Sequence, residues 1–126
     1  MIIGVGTDLC ENDRIRGMLN RYGERFLKRI FQEEELQYCM AKKDPVPHLS
    51  GRFALKEAFI KALGVKRNIA LSYSDIGLLG TLPGKKDIYI RGKVNELYHD
   101  SLANKIFFSI SHARKYSSAY VVLERQ

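Results

Sequence analysis

The 126 residues carry 21 lysines and arginines against 14 aspartates and glutamates, a formal charge of +7, with 45% hydrophobic and 28% charged residues. Those figures describe one globular domain with enough chain to bury a core unaided, and no apolar run approaches a membrane span. Two cysteines, Cys10 and Cys39, have neither metal-ligand spacing nor the makings of a disulfide framework, so a reducing cytoplasm is the simplest compartment. The positive charge asks for an anionic partner without choosing among nucleic acid, acidic protein and phosphorylated small molecule. No recognisable RNA-binding motif is present.

Residues 2–9, IIGVGTDL, alternate as a strand, with Ile3, Val5, Thr7 and Leu9 on one face and Gly4, Gly6 and Asp8 on the other. The two glycines leave room on the Asp8 side for a close backbone approach. This apolar start has no basic flank and meets Asp8 too early for a signal peptide. Residues 12–30 predict a helix, capped by Asn12 or Asp13 and weakened by Gly17 and Gly23, with a break expected near Gly23. At about 100° per residue, Arg14, Arg21, Arg25 and Lys28 fall within an arc of roughly 60°. Such a stripe is either a plain solvated face or a docking surface for an acidic helix.

A helix over 33–42 is ended by Asp44-Pro45-Val46-Pro47. Another over 49–63 stops at Gly64. Strands are predicted at 76–79 and 87–91 around a turn at 81–86, then a short helix at 94–102 and strands at 106–111 and 119–123. Early helices and late strands indicate an α+β fold with an antiparallel sheet that the first strand joins. With no repeat, linker or low-complexity segment, residues 1–126 form a single domain.

Chemistry concentrates in three places. On the helix over 49–63, Glu57 and Lys61 stand one turn apart, with Arg52 and Lys56 a turn earlier, so a carboxylate sits among cations. Asp8 lies at the end of the first strand, and Ser109-Ile110-Ser111-His112 closes a late one. Asp8 and Glu57 form a minimal carboxylate pair of the kind Mg²⁺ takes before completing its octahedron with phosphate oxygens and water. Lys61 and His112 are suited to neutralise phosphate charge, the larger part of catalysis in phosphoryl transfer. Each residue also has a plainer reading: a surface ion pair for Glu57 and Lys61, a helix cap for Asp8, a backbone-satisfied imidazole for His112.

Gly4-Val5-Gly6-Thr7-Asp8, then Gly51-Arg52-Phe53-Ala54-Leu55-Lys56-Glu57-Ala58-Phe59-Ile60-Lys61-Ala62-Leu63-Gly64, then Phe108-Ser109-Ile110-Ser111-His112 together resemble the motifs of the holo-[acyl-carrier-protein] synthases. These are the small bacterial type of 4′-phosphopantetheinyl transferase, and the resemblance spans essentially the whole chain. It implies helices packed on a small antiparallel sheet and a cytoplasmic enzyme of fatty acid biosynthesis. The implied reaction moves the phosphopantetheine arm of coenzyme A onto a serine of apo acyl carrier protein, releasing adenosine 3′,5′-bisphosphate. Carried over by position, Asp8 and Glu57 become Mg²⁺ ligands, and Lys61 and His112 phosphate contacts, Lys61 also a proton donor to the leaving phosphate. Arg52 and the Pro83-Gly84-Lys85 turn become coenzyme A contacts, and Arg14, Arg21, Arg25 and Lys28 the carrier-protein docking face. The family implies a homotrimer with sites between subunits, and neither nucleic acid nor membrane as partner. Cys10 and Asn12 depart from the family's apolar pattern, and Val65-Lys66-Arg67 stands where a second glycine is usual, so contacts after Gly64 stay unassigned.

Overall fold

The computed structural model describes residues 1–65, 70–82 and 84–126. Its centre is a helix on a three-stranded sheet. The chain runs β1 (Ile2–Glu11), α1 (Asn12–Tyr22), α2 (Glu24–Ile30), α3 (Glu33–Met40) and α4 (Val46–Leu63). A short 3₁₀ turn (Tyr73–Asp75) then leads to β2 (Ile76–Leu82), β3 (Lys85–Ile90), α5 (Gly92–Asp100), β4 (Lys105–His112) and β5 (Tyr116–Glu124). The α+β expectation holds, and β1 does join the late strands, in an antiparallel sheet of order β1-β5-β4. The β2–β3 hairpin forms a separate two-stranded sheet. Among the described residues, no helix is long and apolar enough to cross a membrane.

The glycines of β1 explain how α4 reaches the sheet. A Cβ on Gly4 would lie 1.8 Å from the Ala62 carbonyl oxygen, and one on Gly6 would lie 1.8 Å from that of Ala58. The bulky thing that approaches the strand is therefore the backbone of α4 itself, and only glycine permits it. Opposite these glycines on the same face, Val121 pairs with Gly6 and Leu123 with Gly4, completing a floor under the helix. Gly6→Ala is expected to force strand and helix apart and cost about 1–3 kcal/mol or more, as overpacking does. A urea melt of the purified variant would measure it.

Predicted and observed boundaries differ in instructive places. Gly23, at φ 59°, interrupts the long N-terminal helix and separates α1 from α2. α4 starts ahead of the predicted 49 because Pro47 falls in its first turn, where no N–H is required, and Asp44 Oδ1 accepts from Val46 N at 3.1 Å. The predicted turn at 81–86 is shorter, since β2 and β3 extend into it.

The largest correction concerns α4. The spacing groups Arg52 and Lys56 with Glu57 and Lys61, yet the helix is buried around most of its circumference, with Arg52 4% and Lys56 1% exposed. Glu35 of α3 makes this possible. Its Oε1 accepts from Lys56 Nζ at 2.6 Å and from Gln32 N at 3.0 Å, while its Oε2 accepts from Leu78 N at 3.1 Å and lies 3.8 Å from Arg52 Nε. Lys56 also donates to the Ile76 carbonyl. Buried charge is tolerated only where it is paired and hydrogen-bonded in this way.

Candidate active site

Asp8 lies within β1 rather than at its end, three residues before the strand closes at Glu11. Lys61, less than a turn beyond Ala58 where the glycine contact starts, donates to Asp8 Oδ1 at 3.1 Å and to the Thr7 carbonyl at 3.0 Å. The Asp8 side chain is 19% exposed and Lys61 54%. Asp8 does not cap α1, whose N-cap is Glu11 without a side-chain bond. One turn before Lys61, Glu57 Oε1 accepts from the Tyr73 hydroxyl at 2.7 Å. Burial and the neighbouring carboxylate push the Tyr73 phenol up to about 12, so it stays a donor. Two carboxylates and one half-exposed cation thus gather where β1 passes beneath the C-terminal half of α4.

His112 stands elsewhere. It pairs in register with Ser117 at the β4 edge, whereas Asp8 occupies the β1 edge, two strands or about 10 Å across the sheet. Its ring packs over Gly51, where a Cβ would come within 2.6 Å of Cε1. Gly51 and Glu57 are six residues apart on α4, roughly 9 Å along the axis and about 120° around it. Within one chain, then, Asp8, Glu57 and Lys61 are brought together, and His112 lies on another flank of the same helix.

There His112 shares a cleft of about 360 Å³ with Tyr38, His48, Arg52 and Lys86. Arg52 stacks on the Tyr38 ring at 4.4 Å, and its Nε is buried with no hydrogen-bond partner among the described residues. Lys86 Nζ donates to the Tyr38 hydroxyl at 2.7 Å, which lowers the phenol's pKa. One carboxylate, Glu35, faces two buried cations, so this flank is electropositive and suited to an anion. Of the predicted turn contacts, Gly84 adopts φ 77° and Lys85 is exposed, while Pro83 lies outside the described residues. Lys86, His48 and Tyr38 carried no recognisable signal in the sequence.

Ser117 Oγ lies 3.3 Å from two acceptors, Asn12 Oδ1 and the Pro47 carbonyl, so its single proton belongs to them. His112 Nδ1, 2.9 Å away, is therefore the donor, and Nε2 of the neutral ring is an acceptor. Donation to a phosphate from Nε2 requires the imidazolium. Desolvation, then neighbouring charge, holds both His112 and His48 below the ordinary 6.5. The unfolded chain therefore takes up these protons first as the pH drops, and stability falls from about pH 6.5 downward. His48→Phe is expected to flatten that decline in urea melts run between pH 7.5 and about pH 5.

The basic stripe is only partly realised. Arg14 of α1 and Arg25, Lys28 and Arg29 of α2 line a groove of about 820 Å³. Its floor is apolar, with Ile15, Met18, Phe26 and Phe53, and Tyr73 stands in its wall. Arg21 is not among the lining residues; it rests on Tyr22 at 5.7 Å. Arg14 lies over Phe53 at 5.6 Å, and Phe53 against Tyr73 at 5.4 Å, so the groove ends beside Glu57.

A strand-bound aspartate, a helix-borne Glu-x-x-x-Lys and a basic groove leading to them thus meet on an α+β scaffold. Residues 4–121 match the model of the 4′-phosphopantetheinyl transferase superfamily, and the chain belongs to that family. Within it, the chain is 45% identical over 125 residues to the holo-[acyl-carrier-protein] synthase of Leptospira biflexa serovar Patoc, covering 99% of this chain and 98% of that one. The crystal structure of holo-[acyl-carrier-protein] synthase from Neisseria meningitidis superposes with a TM-score of 0.87 at 32% identity, covering 99% of this chain and 100% of that one. The Bacillus anthracis holo-(acyl-carrier-protein) synthase in complex with CoA (3′,5′-ADP) gives 0.79 at 31% identity, covering 100% and 99%.

Proposed function

We propose that this protein is a phosphopantetheinyl transferase that moves the 4′-phosphopantetheine arm of coenzyme A onto a serine of apo acyl carrier protein, in support of fatty acid biosynthesis. The observation that carries the reading is the gathering of Asp8, Glu57 and Lys61 at the end of a basic, apolar-floored groove. The serine hydroxyl gives its proton to solvent water as its oxygen bonds to the β-phosphorus of coenzyme A, the bond to the bridging oxygen breaks, and adenosine 3′,5′-bisphosphate leaves. Lys61, half exposed and one turn from Glu57, neutralises the phosphate and stands as proton donor to the leaving group.

Asp8 and Glu57 fit Mg²⁺, since each carboxylate spends one oxygen on a donor and keeps a second for a cation. Among the described residues no three His, Cys, Asp or Glu side chains form a cage, which suits an ion completed by phosphate and water. When bound, Mg²⁺ supplies charge neutralisation at the pyrophosphate. Arg52 and Lys86 take the anionic groups of coenzyme A in their cleft, and His112 joins them when its ring is protonated.

The two flanks of α4 serve one site if a second copy brings its cleft to the first copy's carboxylates, and a homotrimer is the assembly we assign. The outer face of the sheet supports it: Val5, Leu9, Phe107, Tyr116 and Tyr120 are between 41% and 63% exposed in one contiguous array. Such a patch marks an association surface. The compartment is the cytoplasm, where coenzyme A and carrier protein meet.

Mass spectrometry of apo carrier protein incubated with coenzyme A, Mg²⁺ and this protein tests the reading; no phosphopantetheine adduct under any divalent metal would sink it. Arg14→Glu is expected to raise the KM for carrier protein about tenfold and to flatten its salt dependence, since a steering charge is reversed. Its KM for coenzyme A should stay unchanged; equal loss of both would make α1 merely structural.

A further inference from the structure

Tyr73 touches both halves of this site. Its hydroxyl donates to Glu57 Oε1 at 2.7 Å, and its ring stands in the groove wall, 5.4 Å from Phe53. The segment that carries it is unusually well fastened. Asp75 N donates to the Ser72 carbonyl at 3.0 Å, Arg91 N to the Asp75 carbonyl at 2.9 Å, and Gln32 Nε2 to the Ser74 carbonyl at 2.9 Å. The Ser72 and Ser74 hydroxyls bond each other at 2.9 Å. The phenol is therefore presented from a braced turn, 16 residues beyond its partner Glu57 in the chain.

We propose that Tyr73 is a positioning residue for Glu57, an inference that rests on the transfer reading above. A glutamate on a helix has three rotatable bonds, and fixing them at the moment of cation binding costs entropy. The Tyr73 hydroxyl fixes them beforehand, engages one carboxylate oxygen and leaves Oε2 for the cation. A neutral donor suits this task, because a second lysine in its place would compete with the metal. Partners that orient a metal ligand in this way typically carry ten- to a hundredfold in metal affinity or activity.

Tyr73→Phe separates the hydroxyl from the ring, since the wall of the groove is kept. Mn²⁺ titrations read by electron paramagnetic resonance, with coenzyme A present, are the direct test. Tyr73→Phe should bind Mn²⁺ about tenfold more weakly and lose a similar factor in kcat, with its KM for carrier protein and its melting temperature unchanged. Tyr73→Ala removes the wall as well and should raise the carrier KM in addition. Unchanged Mn²⁺ affinity in Tyr73→Phe, or a raised carrier KM with kcat intact, overturns the assignment. If the parent protein binds Mn²⁺ and transfers while Tyr73→Phe matches it, only the role of Tyr73 falls. If the parent does neither, the transfer reading falls and takes this one with it.

Discussion

Glu57→Gln is expected to yield a folded protein whose transfer rate is lower by about two to three orders of magnitude, the range for losing one electrostatic contact at a reacting group. The amide is isosteric, and its oxygen still accepts from Tyr73, so the local packing that holds the side chain at 2.7 Å is preserved. What disappears is the negative charge that a hard cation needs. Glu57 is only partly buried, so the neutral amide meets no desolvation difficulty and the melting temperature should not move. Adduct formation followed by mass spectrometry, beside a thermal melt, checks both halves. A variant that transfers at the parent rate would show that the cation is held elsewhere.

Glu35→Ala is expected to destabilise the fold by about 3–5 kcal/mol, the usual result of stripping the partner from a buried charge. Arg52 and Lys56 would then be left 4% and 1% exposed with no carboxylate between them. The same change removes the acceptor for Gln32 N at the start of α3 and for Leu78 N in β2. Desolvation already lowers the Lys56 pKa, and Glu35 is what opposes that shift. Urea denaturation followed by circular dichroism would measure the loss. A cost below about 1 kcal/mol would mean that the cluster relaxes to water, as surface pairs do.

Much of this molecule was legible in its sequence, and the failures have causes. Period-two and period-3.6 patterns located the strands and the α-helices, but not the short 3₁₀ turn at Tyr73–Asp75. The break at Gly23 was readable, since a left-handed backbone favours glycine. Asp8, Glu57 and Lys61 were read as a set from their motifs, and the fold puts Lys61 on Asp8 at 3.1 Å. The burial of Arg52 and Lys56 was not legible: it depends on Glu35, which sits in a run of three glutamates that looks like an ordinary helix start. Tyr73, Lys86 and His48 were silent for the same reason, as their partners lie 16, 48 and 64 residues away or belong to another sheet. Arg14 and Arg21 share α1, whereas Arg25 and Lys28 follow the break at Gly23, so the relative placement of the two pairs was not legible from helical phase.

The contact of β1 with α4 has a genetic consequence. At Gly4 and Gly6 the opposing atoms are carbonyl oxygens of the main chain, not side chains. Shortening Ala58 or Ala62 would leave those oxygens where they are, so a second substitution has nothing to trim. A selection for restored function after Gly6→Ala should therefore return codons for glycine at position 6 itself, and no compensating change in the helix.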